Sequence, residues 1–337
     1  MSTIPKTHLI SGFENQGSYE EIKTLEVEAP QITTGSDVII KNKYAGLNFI
    51  DGYFRQGVYP STVRPYIFGR EASGVVAAVG KDVTKFKVGD SVAYLSGNTF
   101  AQYTKIPETY TQILNLGSGS LSEKEYETYG GIFLQGLTAL TFVNDAYKVK
   151  KDDFILVWAA AGGVGTFLTQ FAAQKGANVI GVASTSEKLE KVKKLGAKYV
   201  INYKTEDVVA RVKEITGGKG VIATFDSVGK ASFETSLEAL SRKGTFVSYG
   251  NSSGVVPPLA ITRLSPKNIT LLRPQLFGYI VEKDEWEHYS KFLVDSVKSG
   301  KVEFEITKIY PLSEYAQAAK DLESGTTTGK LVVKIPQ

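Results

Sequence analysis

The residues most suggestive of chemistry form a glycine-rich stretch in the middle of the chain. An apolar run typical of a buried strand, Phe154–Ala159, precedes it, and the stretch itself reads AAAGGVG over Ala159–Gly165. A helix predicted over about Val164–Lys175 and a second apolar strand, Asn178–Ala183, follow. Glycines let the backbone approach a pyrophosphate, and the helix N-terminus offers N–H groups and positive dipole. This order predicts a dinucleotide site, although Ala160 stands where the pattern usually has its first glycine.

The residues after the second strand indicate which dinucleotide is bound. Sites for NAD usually place an acidic residue roughly 20 positions after the glycines, where it binds the ribose hydroxyls. Here that place holds Ser184, Thr185 and Ser186, followed by Glu187 and Lys188. Without a carboxylate to repel it, a 2′-phosphate can be held by hydroxyls and a lysine, which favours NADPH. The alternative is that Lys188 is an ordinary solvated lysine in the first turn of a helix.

Composition excludes several kinds of site. The chain contains no cysteine and only two histidines, His8 and His288. Disulfides, thiolate metal sites and a cysteine nucleophile are therefore excluded. Both histidines lie far from the motifs, so we assign neither a catalytic role.

Bulk properties are those of an ordinary globular protein. The 337 residues suffice for two domains of roughly 150 residues each. The net charge of +4 comes from 39 basic and 35 acidic residues mixed along the chain, which is weak support for a polyanion-binding surface. No apolar run has the length of a membrane span, and the N-terminus lacks a signal or transit pattern. We expect a cytoplasmic protein, with the nucleus as a further possibility.

The chain contains two regions that differ in their pattern of apolar and turn residues. From Asp37 to about Val92, short strand-like runs separated by turn residues predict an all-β module. From Phe154 to Asn251, apolar strands alternate with helical stretches, which predicts right-handed βαβ units and a parallel sheet covered on both faces. The segment after about Tyr279 is predicted to complete the first domain, with elements near Asp284–Ser299 (helix), Glu303–Ile309 (strand), Leu312–Ser324 (helix) and Lys330–Ile335 (strand).

Further motifs extend over nearly the whole chain. They are YAGLNFIDGYFRQGVYP (Tyr44–Pro60), GREASGVVAAVG (Gly69–Gly80), VGDSVAY, INY (Ile201–Tyr203), FDSVG (Phe225–Gly229), VSYGNSSG (Val247–Gly254) and RPQLFGYI (Arg273–Ile280). Together with the glycine stretch they resemble the quinone oxidoreductase (zeta-crystallin) family of medium-chain dehydrogenase/reductases, especially its fungal and bacterial members.

The resemblance implies an α/β fold that combines a doubly wound Rossmann domain with a GroES-like, β-rich catalytic domain. We expect the catalytic domain over residues 1–131, the Rossmann NADPH-binding domain over 132–274 and a C-terminal return to the catalytic domain over 275–337. The family also implies an active cleft between the domains. It further implies a homodimer, commonly formed by pairing the Rossmann sheets edge to edge through about Ala260–Leu272.

Zinc-dependent relatives carry a cysteine at the position matching Asn48 and a histidine at the position matching Arg70, before a glutamate that remains here as Glu71. Neither their catalytic zinc nor their four-cysteine structural zinc has its usual ligands in this chain. We therefore expect no metal. Without that Lewis acid, an alcohol's pKa is not lowered, so an acceptor that needs little activation fits best. Glu71 is expected to pair with Arg70 or a neighbouring arginine, and Asp51 to be structural.

The resemblance also assigns roles in binding NADPH. The glycine stretch, with Gly162, Gly163, Val164 and Gly165, would cradle the pyrophosphate. Lys188 and Tyr203 would bracket the 2′-phosphate, and Ser184 would add a hydroxyl. Val228 would form part of the wall on the adenine side.

The nicotinamide half would meet a second group of residues. These are Thr138 in the segment LQGLTALT, and Gly250 and Asn251 after a predicted strand that ends at Tyr249. Arg273 would reach toward the cofactor from the far side of the cleft.

On the catalytic domain, Asn48, Tyr53 and Tyr59 are the candidates for catalysis, and Asn48 and Tyr53 also for contact with the nicotinamide. Each can donate a hydrogen bond that polarises a carbonyl. The alternative for both tyrosines is aromatic packing on the barrel, since the chain has 18 tyrosines.

The predicted function is NADPH-dependent reduction of quinones to semiquinone or hydroquinone. A quinone suits a metal-free site because its reduction delocalises charge over an aromatic ring. Reduction of the double bond of an alkenal or enone is the alternative within the enzyme class. Binding of AU-rich RNA, found in some family members, ranks lower because no basic patch is interleaved with aromatic residues.

Overall fold

The computed structural model describes residues 4–119 and 121–337. The strands, in chain order, are β1 (Thr7–Phe13), β2 (Lys23–Glu28), β3 (Asp37–Gly46), β4 (Tyr66–Ile67), β5 (Glu71–Val79), β6 (Asp90–Leu95), β7 (Tyr103–Pro107), β8 (Ile113–Ser118), β9 (Phe154–Val157), β10 (Asn178–Ala183), β11 (Tyr199–Asn202), β12 (Val221–Asp226), β13 (Leu240–Ser248), β14 (Thr270–Leu272), β15 (Ile306–Pro311) and β16 (Lys330–Lys334).

The α-helices are α1 (Phe49–Arg55), α2 (Glu123–Tyr129), α3 (Phe133–Thr141), α4 (Gly163–Gln174), α5 (Ser186–Lys194), α6 (Val208–Ile215), α7 (Phe233–Ala239), α8 (Lys283–Lys298) and α9 (Tyr315–Glu323). A π-helical turn, Phe142–Ala146, continues α3. Within the described residues, no helix combines the length and the apolar character that crossing a bilayer requires.

The first compact unit contains the chain up to Leu134 together with Val281–Ser290 and Phe304–Gln337. Its main sheet has the order β15-β16-β3-β5-β6-β8, β7 also pairs with β3, and a small sheet has the order β2-β1-β4. The strands β15 and β16 return from the end of the chain, and β16 pairs antiparallel with the end of β3. This pairing places two strands from the C-terminal part of the chain in the same sheet as β3.

The second compact unit contains Gln135–Ile280 and Lys291–Glu303. Its sheet has the order β11-β10-β9-β12-β13-β14, and every neighbouring pair is parallel. Central strands such as β9 and β10 are almost wholly buried, as expected for a parallel sheet with helices on its faces. The predicted fold class, a parallel Rossmann-like domain with a separate β-rich domain, is confirmed.

Several local predictions differ from the structure. The N-terminal module is not all-β, because α1 follows β3 within the segment Tyr44–Pro60. Its N-cap is Asn48, and Asp51, Gly52 and Arg55 form its buried side. The single helix predicted near Leu312–Ser324 is a 3₁₀ turn followed by α9. The units divide after Leu134 and Ile280, compared with the expected 131 and 274, and residues 291–303 join the second unit.

Candidate functional site

The parallel sheet gathers most of the predicted cofactor residues at one edge. In a parallel sheet all carboxyl ends of the strands lie on the same side, where ligands of open α/β sheets bind. The glycine turn follows β9, Ser184 follows β10, Tyr203 follows β11, and Val228 lies two residues after β12. Gly250 and Asn251 lie just beyond β13, and Arg273 follows β14 directly. Residues separated by over a hundred positions thus share one edge.

The glycine turn is built so that side chains would not fit. A Cβ on Gly165 would lie 2.3 Å from the Ala159 oxygen, and one on Gly250 would lie 2.3 Å from the Ser227 oxygen. Ala160 N–H donates to the Val182 oxygen, which ties the turn to β10. Gly162 is the N-cap of α4, a helix of 12 residues, so the first N–H groups of α4 have no acceptor within the helix. This cradle suits a phosphate.

A second group of polar and cationic residues lies at the ends of β10 and β11. Ala183 and Asn202 pair at the end of the two strands, so Ser184 and Tyr203 follow them side by side, and Tyr203 is 48% exposed. Thr185 is the N-cap of α5, and its hydroxyl accepts from Lys188 N–H at 3.3 Å. Burial lowers the pKa of Lys188, and the charge of Lys204 lowers it further. Lys204 was not predicted from the sequence, although it directly follows Tyr203.

Two cations held near one another repel, and an anion between them relieves that repulsion. Lys188 and Lys204 repel in this way, and Ser184 and Tyr203 follow the paired ends of β10 and β11. No acidic residue ends β10, since Ser184 occupies that place. The chemistry of this corner fits a phosphate on the adenosine ribose.

The far half of the sheet edge is held together by Arg273. Its Nη1 donates to Ser248 Oγ at 3.2 Å and to the Gly250 oxygen at 3.1 Å. With the Asn251 amide oriented by its hydrogen bonds, the Asn251 oxygen accepts from Arg273 Nη2 at 3.0 Å. Arg273 therefore fixes the loop after β13. Thr138 lies partly buried on α3 of the same unit.

In the first unit, Asn48 belongs to a buried cluster with Glu71 and Lys330, none of them more than 4% exposed. Lys330 Nζ donates to Glu71 Oε1 at 2.7 Å, to Asn48 Oδ1 at 3.0 Å and to the Leu47 oxygen at 2.8 Å. Glu71 Oε2 accepts from Leu134 N–H at 2.9 Å, at the start of α3. Burial lowers the pKa of Lys330, and Glu71 opposes that effect. The cluster thereby links β3, β5, β16, α1 and α3.

This cluster changes the interpretation of two predicted residues. Glu71 does pair with a cation, but the expected arginine partner was wrong: the partner is Lys330, which the sequence analysis missed. Asn48 Nδ2 donates to the Gly46 oxygen at 3.1 Å and to Glu71 Oε1 at 3.0 Å. Because both amide hydrogens are engaged inside the fold, Asn48 has none left in this arrangement to polarise a carbonyl.

A zinc ion does not fit this set of donors. At the positions where zinc-dependent relatives have cysteine and histidine stand an amide, Asn48, and a cation, Arg70, and the neighbouring Glu71 is neutralised by Lys330. Neither Lys330 in its ion pair nor Arg70 offers a lone pair to a metal. In the part of the chain that the structure describes, no group of three or more acidic or histidine side chains is arranged as a metal site.

The two candidate tyrosines pack against each other near α1. The rings of Tyr53, on α1, and Tyr59 lie 5.3 Å apart in an edge-to-face arrangement. Phe54 lies 5.6 Å from the Tyr59 ring and 5.0 Å from the Tyr66 ring. Aromatic packing, the alternative considered for both tyrosines, is thus present. Both residues are only partly buried.

Asp51, also on α1, is a fully buried carboxyl group. Its Oδ1 accepts from Gly69 N–H at 2.9 Å, while its Oδ2 has no hydrogen-bond partner. Burial raises the pKa of Asp51 to about 6, although Arg70 acts in the opposite direction. Asp51 therefore anchors α1 to the loop that precedes β5.

Comparison with known proteins gives a consistent result. Residues 34–131 match the alcohol dehydrogenase GroES-like domain, and residues 163–295 match the zinc-binding dehydrogenase family. A probable quinone oxidoreductase of Schizosaccharomyces pombe is 41% identical over 316 residues, which cover 93% of this chain and 92% of the relative. A 2-haloacrylate reductase of a Burkholderia species is 36% identical over 315 residues, which cover 89% of this chain and 91% of that enzyme.

Among solved structures, that of Escherichia coli quinone oxidoreductase complexed with NADPH superposes with a TM-score of 0.91 at 36% identity. The match covers 97% of this chain and 99% of that one. A GroES-like unit combined with a nucleotide-binding parallel sheet defines an oxidoreductase of the dehydrogenase/reductase class. Within it, the chain belongs to the quinone oxidoreductase family, as the sequence motifs predicted.

Proposed function

We propose that this protein is a zinc-independent reductase that transfers hydride from NADPH to quinones. One observation carries the proposal. At the carboxyl ends of the parallel strands of the second unit, the glycine turn after β9 lies beside a group of polar and cationic residues after β10 and β11, namely Ser184, Lys188, Tyr203 and Lys204. The first feature suits a pyrophosphate and the second a ribose 2′-phosphate. Two relatives named quinone oxidoreductase, one of them solved with NADPH, support the same assignment.

When bound, NADPH supplies the hydride, and the residues of the chain bind and orient the reactants. The Lys188 and Lys204 ammonium groups discriminate between NADPH and NADH by their attraction to the 2′-phosphate. Arg273 keeps the loop of Gly250 and Asn251 in place on the nicotinamide side. Thr138 and Val228 complete the cofactor-binding set.

On the first unit, Tyr53 and Tyr59 are the residues proposed to meet the acceptor. A tyrosine hydroxyl can donate a hydrogen bond to a quinone oxygen as negative charge develops there. Asn48 acts differently from the sequence-based expectation: as N-cap of α1 and partner of Lys330, it positions the helix that carries Tyr53.

The test is a steady-state assay in which oxidation of NADPH is followed by its absorbance with a panel of ortho- and para-quinones. Turnover with NADPH and a much lower kcat/KM with NADH are expected. A Tyr53→Phe variant is expected to lower kcat while leaving the KM for NADPH near its parent value. No turnover on any quinone would overturn the proposal.

A second candidate is reduction of an activated carbon–carbon double bond. The observation that favours it is the similarity to the 2-haloacrylate reductase. Both reactions use the same cofactor site and differ in the acceptor: a quinone in one and a carbon of the double bond in the other. Comparing kcat/KM for enones and acrylates with that for quinones decides between them, and higher values on the alkenes would make this the principal activity.

We also propose a homodimer formed through β14. This strand is the last in the order of the parallel sheet, next to β13 only, and Ile261 in the preceding segment is 80% exposed. An edge strand offers unpaired N–H and C=O groups to a second copy. Sedimentation analysis of the parent and of an Ile261→Asp variant tests this: a monomeric parent contradicts it.

A further inference from the structure

Arg70 is a partly buried cation whose hydrogen-bonding capacity is mostly unused. Its guanidinium carbon lies 4.5 Å from the centre of the Phe54 ring, and Nη2 donates to the Tyr66 hydroxyl at 2.6 Å. Its Nε is buried without a hydrogen-bond partner. A guanidinium has five N–H donors, and in the described part of the chain one of those of Arg70 donates a hydrogen bond.

No acidic residue neutralises Arg70 by direct contact in the described part of the chain. Asp51, whose Oδ1 accepts from Gly69 N–H, lies near enough for the charge of Arg70 to act against the rise of its pKa. Asp51 and Arg70 do not form a salt bridge. Other buried cations of this unit do: Arg55 pairs with Glu323 at 2.9 Å, and Lys330 with Glu71 at 2.7 Å. Of these three cations, Arg70 alone has no carboxylate partner in direct contact among the described residues.

Arg70 also belongs to the aromatic cluster of the proposed acceptor site. Its guanidinium stacks on Phe54, and Phe54 contacts Tyr59, which contacts Tyr53. The stacking and the Tyr66 hydrogen bond hold the planar guanidinium in one orientation before any ligand arrives. A preorganised guanidinium loses little conformational entropy on binding and can bind an oxyanion through two hydrogen bonds.

We propose that Arg70 binds an anionic substituent of the acceptor, so that the enzyme prefers quinones whose ring carries a carboxylate or sulfonate. The inference rests on the proposed function, because the tyrosines identify the acceptor side. Tyr53 and Tyr59 provide the aromatic surface for the ring, and Arg70 pairs with the charge at its rim. The site selects a flat, negatively charged aromatic acceptor.

The test compares 1,2-naphthoquinone-4-sulfonate with 1,2-naphthoquinone in the parent and in an Arg70→Met variant. The quantity of interest is the ratio of kcat/KM for the two quinones, because intrinsic reactivity cancels when ratios are compared between variants. A charge-assisted pair predicts that Arg70→Met lowers this ratio by about tenfold to a hundredfold. A ratio within about twofold of the parent, less than half a kcal/mol, would overturn the inference.

Arg64→Met is the matched control. Arg64 is an exposed arginine of the same unit, whose Nη1 donates to the oxygens of Ser61 and Val63. Its replacement removes the same charge, and its own ring contact is with Phe13, at 5.4 Å, rather than with Phe54 or Tyr59, so the ratio is expected to stay at the parent value. An equal fall in both variants would mean long-range attraction and would overturn the assignment to Arg70. Arg70→Lys, which keeps the charge but loses the planar stack, is expected to give an intermediate ratio even if Arg70→Met folds poorly.

A binding measurement separates this inference from the proposed reaction. Naphthalene-1-sulfonate cannot be reduced, and its binding to the full chain is measured by calorimetry without NADPH. Affinity is expected to fall about tenfold or more in Arg70→Met and to be unaffected in Arg64→Met. If no quinone is turned over but this difference appears, the reductase proposal fails and the anion site stands. Equal affinity in the parent and Arg70→Met would overturn the site itself.

Discussion

Lys330→Met removes the cation of the buried cluster and one hydrogen bond from each of its three acceptors. Glu71 Oε1, Asn48 Oδ1 and the Leu47 oxygen each lose the hydrogen bond that they accept from Nζ. Lys330 and Glu71 are 1% and 0% exposed, so water cannot replace the lost donor without opening the fold. The Glu71 carboxylate then stays buried without its ion-pair partner, which costs stability.

The expected cost follows from the loss of one partner of a buried pair, which is roughly 3–5 kcal/mol in proteins. Replacing both charges should cost less, because a neutral Gln at position 71 has no ionic charge to desolvate. We therefore expect the double variant Lys330→Met with Glu71→Gln to be more stable than Lys330→Met alone, by about 2 kcal/mol. The sign of this difference is the sharper prediction. If the two substitutions acted independently, their destabilising effects would add and the double variant would be the less stable one.

The two tryptophans allow unfolding of the first unit to be followed separately. Trp286 lies in the first unit, 2% exposed, with Nε1 donating to the Ile113 oxygen at 3.2 Å, whereas Trp158 lies in the second. In a Trp158→Phe background, urea unfolding monitored by Trp286 fluorescence reports the free energy of unfolding of the first unit. A loss below about 1 kcal/mol in Lys330→Met, or a double variant less stable than the single one, would refute the argument.

Three further predictions concern the cofactor site and the buried carboxyl group. Lys188→Met should raise the KM for NADPH by about tenfold or more, with little change for NADH, and equal effects on both cofactors would contradict the 2′-phosphate assignment. Gly165→Ala should abolish NADPH binding in a fluorescence titration and lower the melting temperature, because its Cβ would meet the Ala159 oxygen at 2.3 Å; in Gly162→Ala the nearest atom lies 3.1 Å away, so a smaller effect is expected. The raised pKa of Asp51 contributes stability that is present below its ordinary value of 3.8 and lost as pH rises through about 6. Because Asn does not titrate, Asp51→Asn should gain up to about 3 kcal/mol relative to the parent between pH 4 and pH 8 in urea unfolding, and a difference independent of pH would contradict the burial argument.

Sequence reasoning was most successful where the signal was local. The strand, glycine turn and helix around Gly162 were predicted within one or two residues, because helix and strand periodicities and glycine placement act over short distances. It failed for α1, whose seven residues are too few for a helical period to stand out among the turn residues of Tyr44–Pro60. There, the hydrogen bond from Gly69 N–H to Asp51 and the ion pair of Arg55 with Glu323, rather than propensity, stabilise the helix.

The residues by themselves determined the class of site: a dinucleotide cradle after β9, hydroxyls and a lysine in place of an acidic residue after β10, and no thiolate for a metal. Only the tertiary structure decided which charges meet. Lys330 and Glu71 are 259 positions apart, and no local pattern links them. They meet because β16 pairs with the end of β3, while β5 pairs with the same strand. Burial then makes their pairing obligatory, since a charge removed from water needs a partner.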